Sequence, residues 1–103
     1  MSILMEFAMF PTDKGASVSE YVSKVIDMIR NSGYSYKLSA MGTVVETDCM
    51  EAATDILNKA EHILSENASR IYCSAKFDIK QGKTGRLERK IQSVESKIGK
   101  VNS

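Results

Sequence analysis

The sequence is short of the residues that mark several common classes of protein. Its 103 residues include two cysteines, one histidine and one proline, and the net charge is only +1. Two isolated cysteines do not make a disulfide framework or a zinc knuckle. A near-neutral chain gives a nucleic-acid partner no electrostatic support. No apolar run approaches the roughly 20 residues that span a bilayer. We therefore expect no metal, no nucleic-acid partner and no membrane.

The N-terminus also lacks the features of a secretory signal. It begins MSILMEFAMFP, without a basic leader, and Glu6 interrupts its apolar run. A cytoplasmic location is therefore expected. An apolar fraction of 43% and a charged fraction of 26% are typical of a globular protein. The length fits one domain, residues 1–103.

Neither cysteine carries a clear chemical signal. Cys73 alternates with apolar residues in a strand pattern, which predicts a small buried hydrophobic residue. Cys49 lies where a helix begins, a position that can lower the pKa of a thiol. The only histidine, His62, falls off the apolar stripe of its helix and has no link to Cys49 in the sequence. We expect both cysteines to be inert and His62 to lie at the surface.

The first third of the chain predicts a strand and then a helix. Residues Ile3–Phe10 are apolar in both alternating sets except at Glu6, which is typical of a central strand covered on both faces. Pro11 ends this strand because it has no amide proton for the ladder. Ser17-Val18-Ser19-Glu20 has the form of a capping box, and one broad apolar stripe follows it to Ile29.

The remaining patterns predict a hairpin, a helix, a strand and a last helix. The hairpin pairs Tyr34–Leu38 with Thr43–Thr47 around a breaker at 39–42. Asp48 is predicted to cap the second helix. Arg70–Lys80 alternates between an apolar and a polar face, as a strand does. The tail from Arg86 carries a narrow apolar seam, suited to lying along another surface.

This order of elements predicts an α+β fold. Right-handed crossovers and the central hairpin give a ferredoxin-like βαββαβ antiparallel sheet, order 4-1-3-2, with an additional C-terminal helix. The two main helices cover one face only, although the central first strand is apolar on both. Another copy of the chain is the simplest cover for the second face. We therefore predict an obligate homo-oligomer.

Two carboxylates are predicted on that second face, which we call the open face. The alternation places Glu6 there, and Glu46 of the neighbouring strand joins it. Among apolar and hydroxyl groups they could bind an amine-bearing heterocycle, and desolvation would raise the pKa of at least one. Alternatively, Glu6 and Lys76 simply form an ion pair. A third interpretation is an enzyme in which Glu46 with Glu6 or Asp78 supplies acid–base chemistry, and a fourth is a regulatory scaffold.

Several segments together resemble a known family. They are Glu6 five residues before Pro11, the Ser17-Val18-Ser19 helix start, Tyr36-Lys37-Leu38, Lys76-Phe77-Asp78, and most specifically MGTVVE at 41–46. Over nearly the whole chain they resemble the YkoF-like thiamine-binding family. The resemblance implies a ferredoxin-like fold, dimers that pair into tetramers through their sheets, and binding of thiamine or its hydroxymethylpyrimidine moiety near subunit interfaces in the cytoplasm. It implies no catalytic activity and no cofactor.

The resemblance also suggests which side chains meet the ligand. A carboxyl group can pair with the amine edge of an aminopyrimidine, and an aromatic ring can cover its face. We expect the carboxylates to accept the amine, two hydroxyls to assist and two aromatic rings to stack: Glu46 and Glu6, Thr43 and Ser39, Tyr36 and Phe10. The turn at Gly82–Arg86 resembles a phosphate cradle and could hold a thiamine phosphate, but it lacks the Walker spacing, which favours a plain turn before a helix.

Overall fold

Seven elements follow one another in the order that the patterns predict. The computed structural model describes residues 1–16, 18–82 and 84–103. The strands are β1 (Ser2–Pro11), β2 (Ser35–Ser39), β3 (Gly42–Thr47) and β4 (Ile71–Lys80). The helices are α1 (Ser19–Arg30), α2 (Met50–Ser65) and α3 (Arg86–Ile98).

The four strands form one antiparallel sheet in the order β2-β3-β1-β4. The predicted ferredoxin-like topology is therefore confirmed. Glu6 of β1 lies opposite Val44 of β3 and Lys76 of β4. Leu4, two residues earlier on the same face, lies opposite Glu46 and Asp78.

The core lies between the sheet and helices α1 and α2. One alternating set of β1 supplies its floor, and the apolar stripes of the two helices cover it; the buried members are Ile3, Met5, Phe7, Met9, Val25, Ile29, Ala53, Ile56, Ala60 and Leu64. Burying each large apolar side chain stabilises the fold by about 1.5–3 kcal/mol. The periodicities of these two helices therefore identify the centre of the core, while Val22 and Ile26 at the margin of the α1 stripe stay partly exposed.

The open face is half covered by α3. Leu87 of this helix is buried, and Leu4 of β1 is only 8% exposed. Farther along β1, Glu6 is exposed and Ala8 and Phe10 are partly exposed. The apolar residues of α3 become more exposed toward the end of the helix, where Ile98 is 74% exposed. The chain thus covers one half of its second face and leaves the other half open.

Two local predictions are wrong and one falls outside the described residues. Helix α2 starts at Met50 with Cys49, and not Asp48, at the cap position, and no side chain caps it. Cys73 is exposed, because β4 is an edge strand and α2 packs mainly over β1 and β3. Ser17 of the predicted capping box lies outside the described residues, and α1 begins after Val18 without a side-chain cap. His62 is exposed, as predicted.

In the part of the chain that the structure describes, no helix is both long and apolar enough to cross a bilayer.

Candidate functional site

The carboxylate of Glu46 accepts hydrogen bonds from three other groups of the same chain. Its Oε2 accepts hydrogen bonds from Ser2 Oγ at 2.6 Å and from the backbone N–H of Arg86 at 3.2 Å. Its Oε1 accepts a further one from the backbone N–H of Leu87 at 3.2 Å. The first amides of a helix have no partner within the helix, and a carboxylate beside them also meets the positive end of the helix dipole. Glu46 therefore caps α3 from a strand 40 residues earlier in the chain.

Arg86 completes the same cluster from the other side. It is 6% exposed, and its guanidinium donates to Ser2 Oγ at 3.1 Å and to the carbonyl oxygens of Ser2 and Asp78, each at 2.7 Å. It also forms an ion pair with the Asp78 carboxylate at 3.1 Å, to which Lys90 adds a second cation. We call Ser2, Glu46, Asp78 and Arg86 the α3 clamp. It joins the start of α3 to β1, β3 and β4.

The expected rise in carboxylate pKa is wrong for Glu46. Burial acts to raise its pKa, but the hydrogen bonds from Ser2 and from the amides of Leu87, Arg86 and Gly85 stabilise the charged form and lower it overall. The pKa of Asp78 is likewise lowered, by hydrogen bonds from Lys90 and Arg86. The clamp therefore holds two ionised carboxylates at neutral pH.

The clamp also changes the interpretation of the turn at Gly82–Arg86. A phosphate there would need the free amides at the start of α3. The amides of Arg86 and Leu87 donate to Glu46 instead. Lys83, the basic residue of the turn, lies outside the described residues. The start of α3 thus already binds an anion of its own chain.

Glu6 lies on the open face with Glu46, as predicted, but the two carboxylates have separate partners. Glu6 forms the alternative ion pair with Lys76, at 3.2 Å, and both side chains are about half exposed or more. In the ladder, Glu6 is opposite Val44 and Glu46 is opposite Leu4, so the two acids are diagonal neighbours. With Glu46 engaged by α3, this geometry does not favour a paired acid and base.

Two of the six predicted ligand residues face the other side of the sheet. Tyr36 lies opposite the buried Val45, and Thr43 lies opposite the buried Phe7, so both side chains point toward the helices. The six residues therefore do not form one site around Glu46. This follows from strand alternation. Thr43 is three positions before Glu46 on β3, and Tyr36 pairs with Val45, the neighbour of Glu46, so both point to the face opposite Glu46.

Three of the six line one cavity of about 620 Å³ beside the end of the hairpin. Phe10, Ser39 and Thr43 line it, with α1 forming the opposite wall. Phe10 belongs to the open-face set of β1, where its ring pairs with Tyr72, and it borders the cavity at the edge that β1 leaves free beyond the Phe7–Thr43 pair. We call this cavity the hairpin groove.

The tip of the hairpin is shaped by Ser39 and Gly42. Ser39 Oγ accepts from the Met41 amide at 3.2 Å and donates to the Gly42 carbonyl at 3.0 Å, which closes the turn. A Cβ atom at Gly42 would lie 2.9 Å from the carbonyl oxygen of Phe7. Only glycine lets the hairpin approach β1 this closely, and that approach forms the floor of the groove.

Thr43 supplies a hydroxyl to the lining of the hairpin groove. The residue is 4% exposed, and among the described residues its hydroxyl has no hydrogen-bond partner. Thr43 is one of the residues that line the groove, so its hydroxyl lies at the wall of that space. A buried hydroxyl open to a cavity is the kind of polar group that orients a ligand.

The groove continues along α1. A second cavity of about 700 Å³ lies between α1 and β2, lined by Tyr36 and by the charged residues Lys24, Asp27 and Arg30. The sequence pattern does not predict that α1 lines both cavities, because an apolar stripe on a helix normally indicates residues of the core. The available signal was Leu38, an apolar residue on the helix side of a short edge strand, which is 60% exposed.

The described residues contain no group of three or more histidine, cysteine or acidic side chains that could hold a metal ion. The site is therefore defined by hydroxyls, aromatic rings and apolar walls. Together with the sheet order, this defines a small ferredoxin-like protein with a groove between its hairpin and first helix.

Comparison with known proteins extends this description. Residues 5–95 match the model of a family described as thiamine-binding protein, and the chain belongs to that family. The UPF0045 protein MJ1052 of Methanocaldococcus jannaschii is 30% identical over 92 residues, 89% of this chain and 91% of its own. The UPF0045 protein Mb1933 of Mycobacterium bovis is also 30% identical, over 92% of this chain and 93% of its own. The YkoF-like resemblance is thereby confirmed.

Solved structures agree on the fold. The crystal structure of the M. jannaschii protein superposes with a TM-score of 0.80, covering 90% of this chain and 95% of that one at 30% identity. A Thermotoga maritima protein, whose description names thiamine biosynthesis or salvage, gives a TM-score of 0.78 over 91% of this chain and 99% of its own. At 20% identity, this second likeness concerns the fold alone.

Proposed function

We propose that this protein binds thiamine or its hydroxymethylpyrimidine moiety in the hairpin groove and does not transform it. The observation that carries the proposal is the meeting of Phe10, Ser39 and Thr43 in one cavity of about 620 Å³. Small-molecule sites commonly measure about 300–1,000 Å³ and combine apolar walls with a few polar groups. Membership of the thiamine-binding protein family supports the choice of ligand.

The chemistry of the groove suits a flat, uncharged ring. Phe10 borders the groove, and its ring, which packs against Tyr72 on the open face, can contact the edge of a pyrimidine. The hydroxyls of Thr43 and Ser39 can donate to ring nitrogens or accept from the exocyclic amine, because a hydroxyl is both donor and acceptor. Tyr36 lies beyond Leu38 in the adjoining cavity, where it can border a second ring. In this proposal Glu6 and Glu46, on the opposite face, do not contact the ligand.

Thr43 gives the sharpest test. Thr43→Val keeps the shape of the side chain and removes the hydroxyl, so we expect thiamine or hydroxymethylpyrimidine to bind about five- to tenfold more weakly by calorimetry. Thr54→Val is the matched control, since Thr54 is exposed on α2 and bonds only to carbonyls of its own helix. Absence of saturable binding by the unmodified protein, with both compounds, would refute the proposal.

We also propose that residues 1–103 act as one binding domain within a cytoplasmic homo-oligomer, a tetramer built as a dimer of dimers. The support is the half of the open face that α3 leaves uncovered, where Phe10 and Tyr72 form an aromatic pair with ring centroids 5.6 Å apart. Tyr72 is 55% exposed. Light scattering after size exclusion tests this assembly, and a stable monomer at micromolar concentration would contradict it.

A further inference from the structure

The hairpin groove and the cavity beside it form one continuous channel along α1. Both are lined by Ser19, Val22, Ile26 and Leu38. Leu38 is 60% exposed, so it divides the two cavities without sealing them. A ligand that fills the hairpin groove can therefore extend past Leu38 into the second cavity, which we call the α1 cavity.

The two cavities differ in charge. None of the side chains that line the hairpin groove is ionisable, whereas the α1 cavity is lined by Lys24, Asp27 and Arg30. Arg30 and Asp27 form an ion pair on the surface of α1. Across residues 1–16, 18–82 and 84–103, Lys24 forms no ion pair. The α1 cavity thus carries a net charge of +1, from two cations and one anion.

This distribution does not suit the cationic end of thiamine. The thiazolium ring has a fixed positive charge, and no carboxylate lines the hairpin groove to balance it. A thiazolium placed in the α1 cavity would meet Lys24 and Arg30. A phosphate ester on the same molecule reverses the sign of that interaction, because it brings a negative charge to the two cations.

The spacing along α1 fits a ligand of two rings with a phosphate at its end. Val22, shared by both cavities, and Arg30, at the far end of the α1 cavity, are eight residues apart on one helix. At a rise of 1.5 Å per residue this is about 12 Å. With the pyrimidine beside Thr43, the second ring would pass Leu38 and the phosphate would lie near Lys24 and Arg30.

From this geometry we propose that the protein prefers a phosphorylated ligand, such as thiamine monophosphate, and that Lys24 and Arg30 bind the phosphate. The inference rests on the proposed function, since it assigns the second half of the same site. Both cations are exposed, so solvent and salt weaken the interaction, and we expect a preference of about five- to tenfold over unphosphorylated thiamine at low salt.

The experiment compares the two ligands on matched variants by calorimetry. Lys24→Gln should remove most of the preference for thiamine monophosphate, by weakening its binding and by slightly tightening that of thiamine, since the variant lacks a cation that repels the thiazolium. Asp27→Asn removes the opposing charge and should tighten thiamine monophosphate binding about two- to threefold. Lys59→Gln, on the surface of α2 in an ion pair with Asp55, removes the same charge away from the channel and should change neither affinity.

Salt and inorganic phosphate complete the test. In about 1 M NaCl, where the Debye length is about 3 Å, the preference should largely vanish. Inorganic phosphate should compete with thiamine monophosphate and not with thiamine. Equal affinity for the two compounds, or a preference that survives both Lys24→Gln and Arg30→Gln, would overturn this inference while leaving thiamine binding intact. Failure of both compounds to bind would instead overturn the proposed function.

Discussion

The role of Glu46 in holding α3 leads to a quantitative prediction. Glu46→Gln keeps the size of the side chain but replaces one acceptor oxygen by an amide donor. In the native protein the two oxygens together accept from Ser2 Oγ and from the amides of Arg86 and Leu87. A glutamine can satisfy only part of this set, and its NH₂ group would face at least one N–H donor.

The expected loss follows from these contacts. Removing a side-chain cap lowers stability by about 0.5–2 kcal/mol, and a hydrogen bond to a charged group contributes about 1.5–3 kcal/mol. Glu46 is partly exposed, so water weakens these hydrogen bonds. We therefore expect the free energy of unfolding to fall by about 2 kcal/mol. For a domain near this size the melting temperature would fall by about 8–15 °C.

The pH dependence gives the prediction a second, independent signature. The folded-state pKa of Glu46 is lowered, so its contribution is complete above the unfolded-state pKa of about 4.3 and is lost as pH falls through the folded-state value. The difference in stability between the native protein and Glu46→Gln should therefore be full at neutral pH and shrink below about pH 4. Asp13, whose pKa is also lowered, bonds to Ser69 away from the clamp and affects both proteins alike.

Urea or thermal unfolding at matched protein concentration measures both effects. Glu6→Gln is the control, since it removes a carboxylate from the same face whose partner, Lys76, is exposed. Such surface ion pairs contribute about 0–1 kcal/mol. If Glu46→Gln and Glu6→Gln shift the melting temperature equally, or if the Glu46→Gln difference is constant from neutral pH to pH 3, then the capping argument is refuted.

Three further predictions concern other parts of the fold. Gly42→Ala should destabilise by about 1–3 kcal/mol in urea unfolding, because the new Cβ would lie 2.9 Å from a β1 carbonyl oxygen; an unchanged midpoint would contradict this. Arg86→Lys should lower the free energy of unfolding by about 2 kcal/mol, since a lysine cannot replace the guanidinium contacts, whereas Arg89→Lys on the exposed side of the same helix should have little effect. Neighbouring atoms partly desolvate the exposed Cys73 thiol and raise its pKa, so in Cys49→Ser protein the rate of iodoacetamide labelling should rise with a midpoint above about pH 8.5, and a midpoint near 7 would be inconsistent with the structure.

The open face shows how far strand alternation can be trusted. It correctly placed Glu6 and Glu46 on one face, because side-chain direction in a strand has a period of two and the hairpin sets the register. The same rule, applied to Tyr36 and Thr43, places them on the opposite face. The resemblance groups them with Glu46, but a family's ligand set does not specify which face of the sheet each side chain occupies in this chain.

Burial at the edge of the sheet was less predictable. The alternation of β4 correctly marks Cys73 and Phe77 as members of one face, but it does not say how far the helices extend across that face. In the fold α2 lies over β1 and β3, which leaves Phe77 38% exposed. Coverage depends on where a helix packs, which neither strand nor helix periodicity specifies.

The sequence by itself determined the elements, their order and the helix-side core, because hydrophobic periodicity and turn residues are local properties of the chain. Tertiary structure decided what each polar group does. Glu46 caps α3 because folding brings it to amides 40 and 41 residues away, and the hairpin groove exists because Gly42 lets the hairpin approach β1 beside α1. Both depend on distances between segments far apart in the chain, and local sequence patterns do not encode such distances.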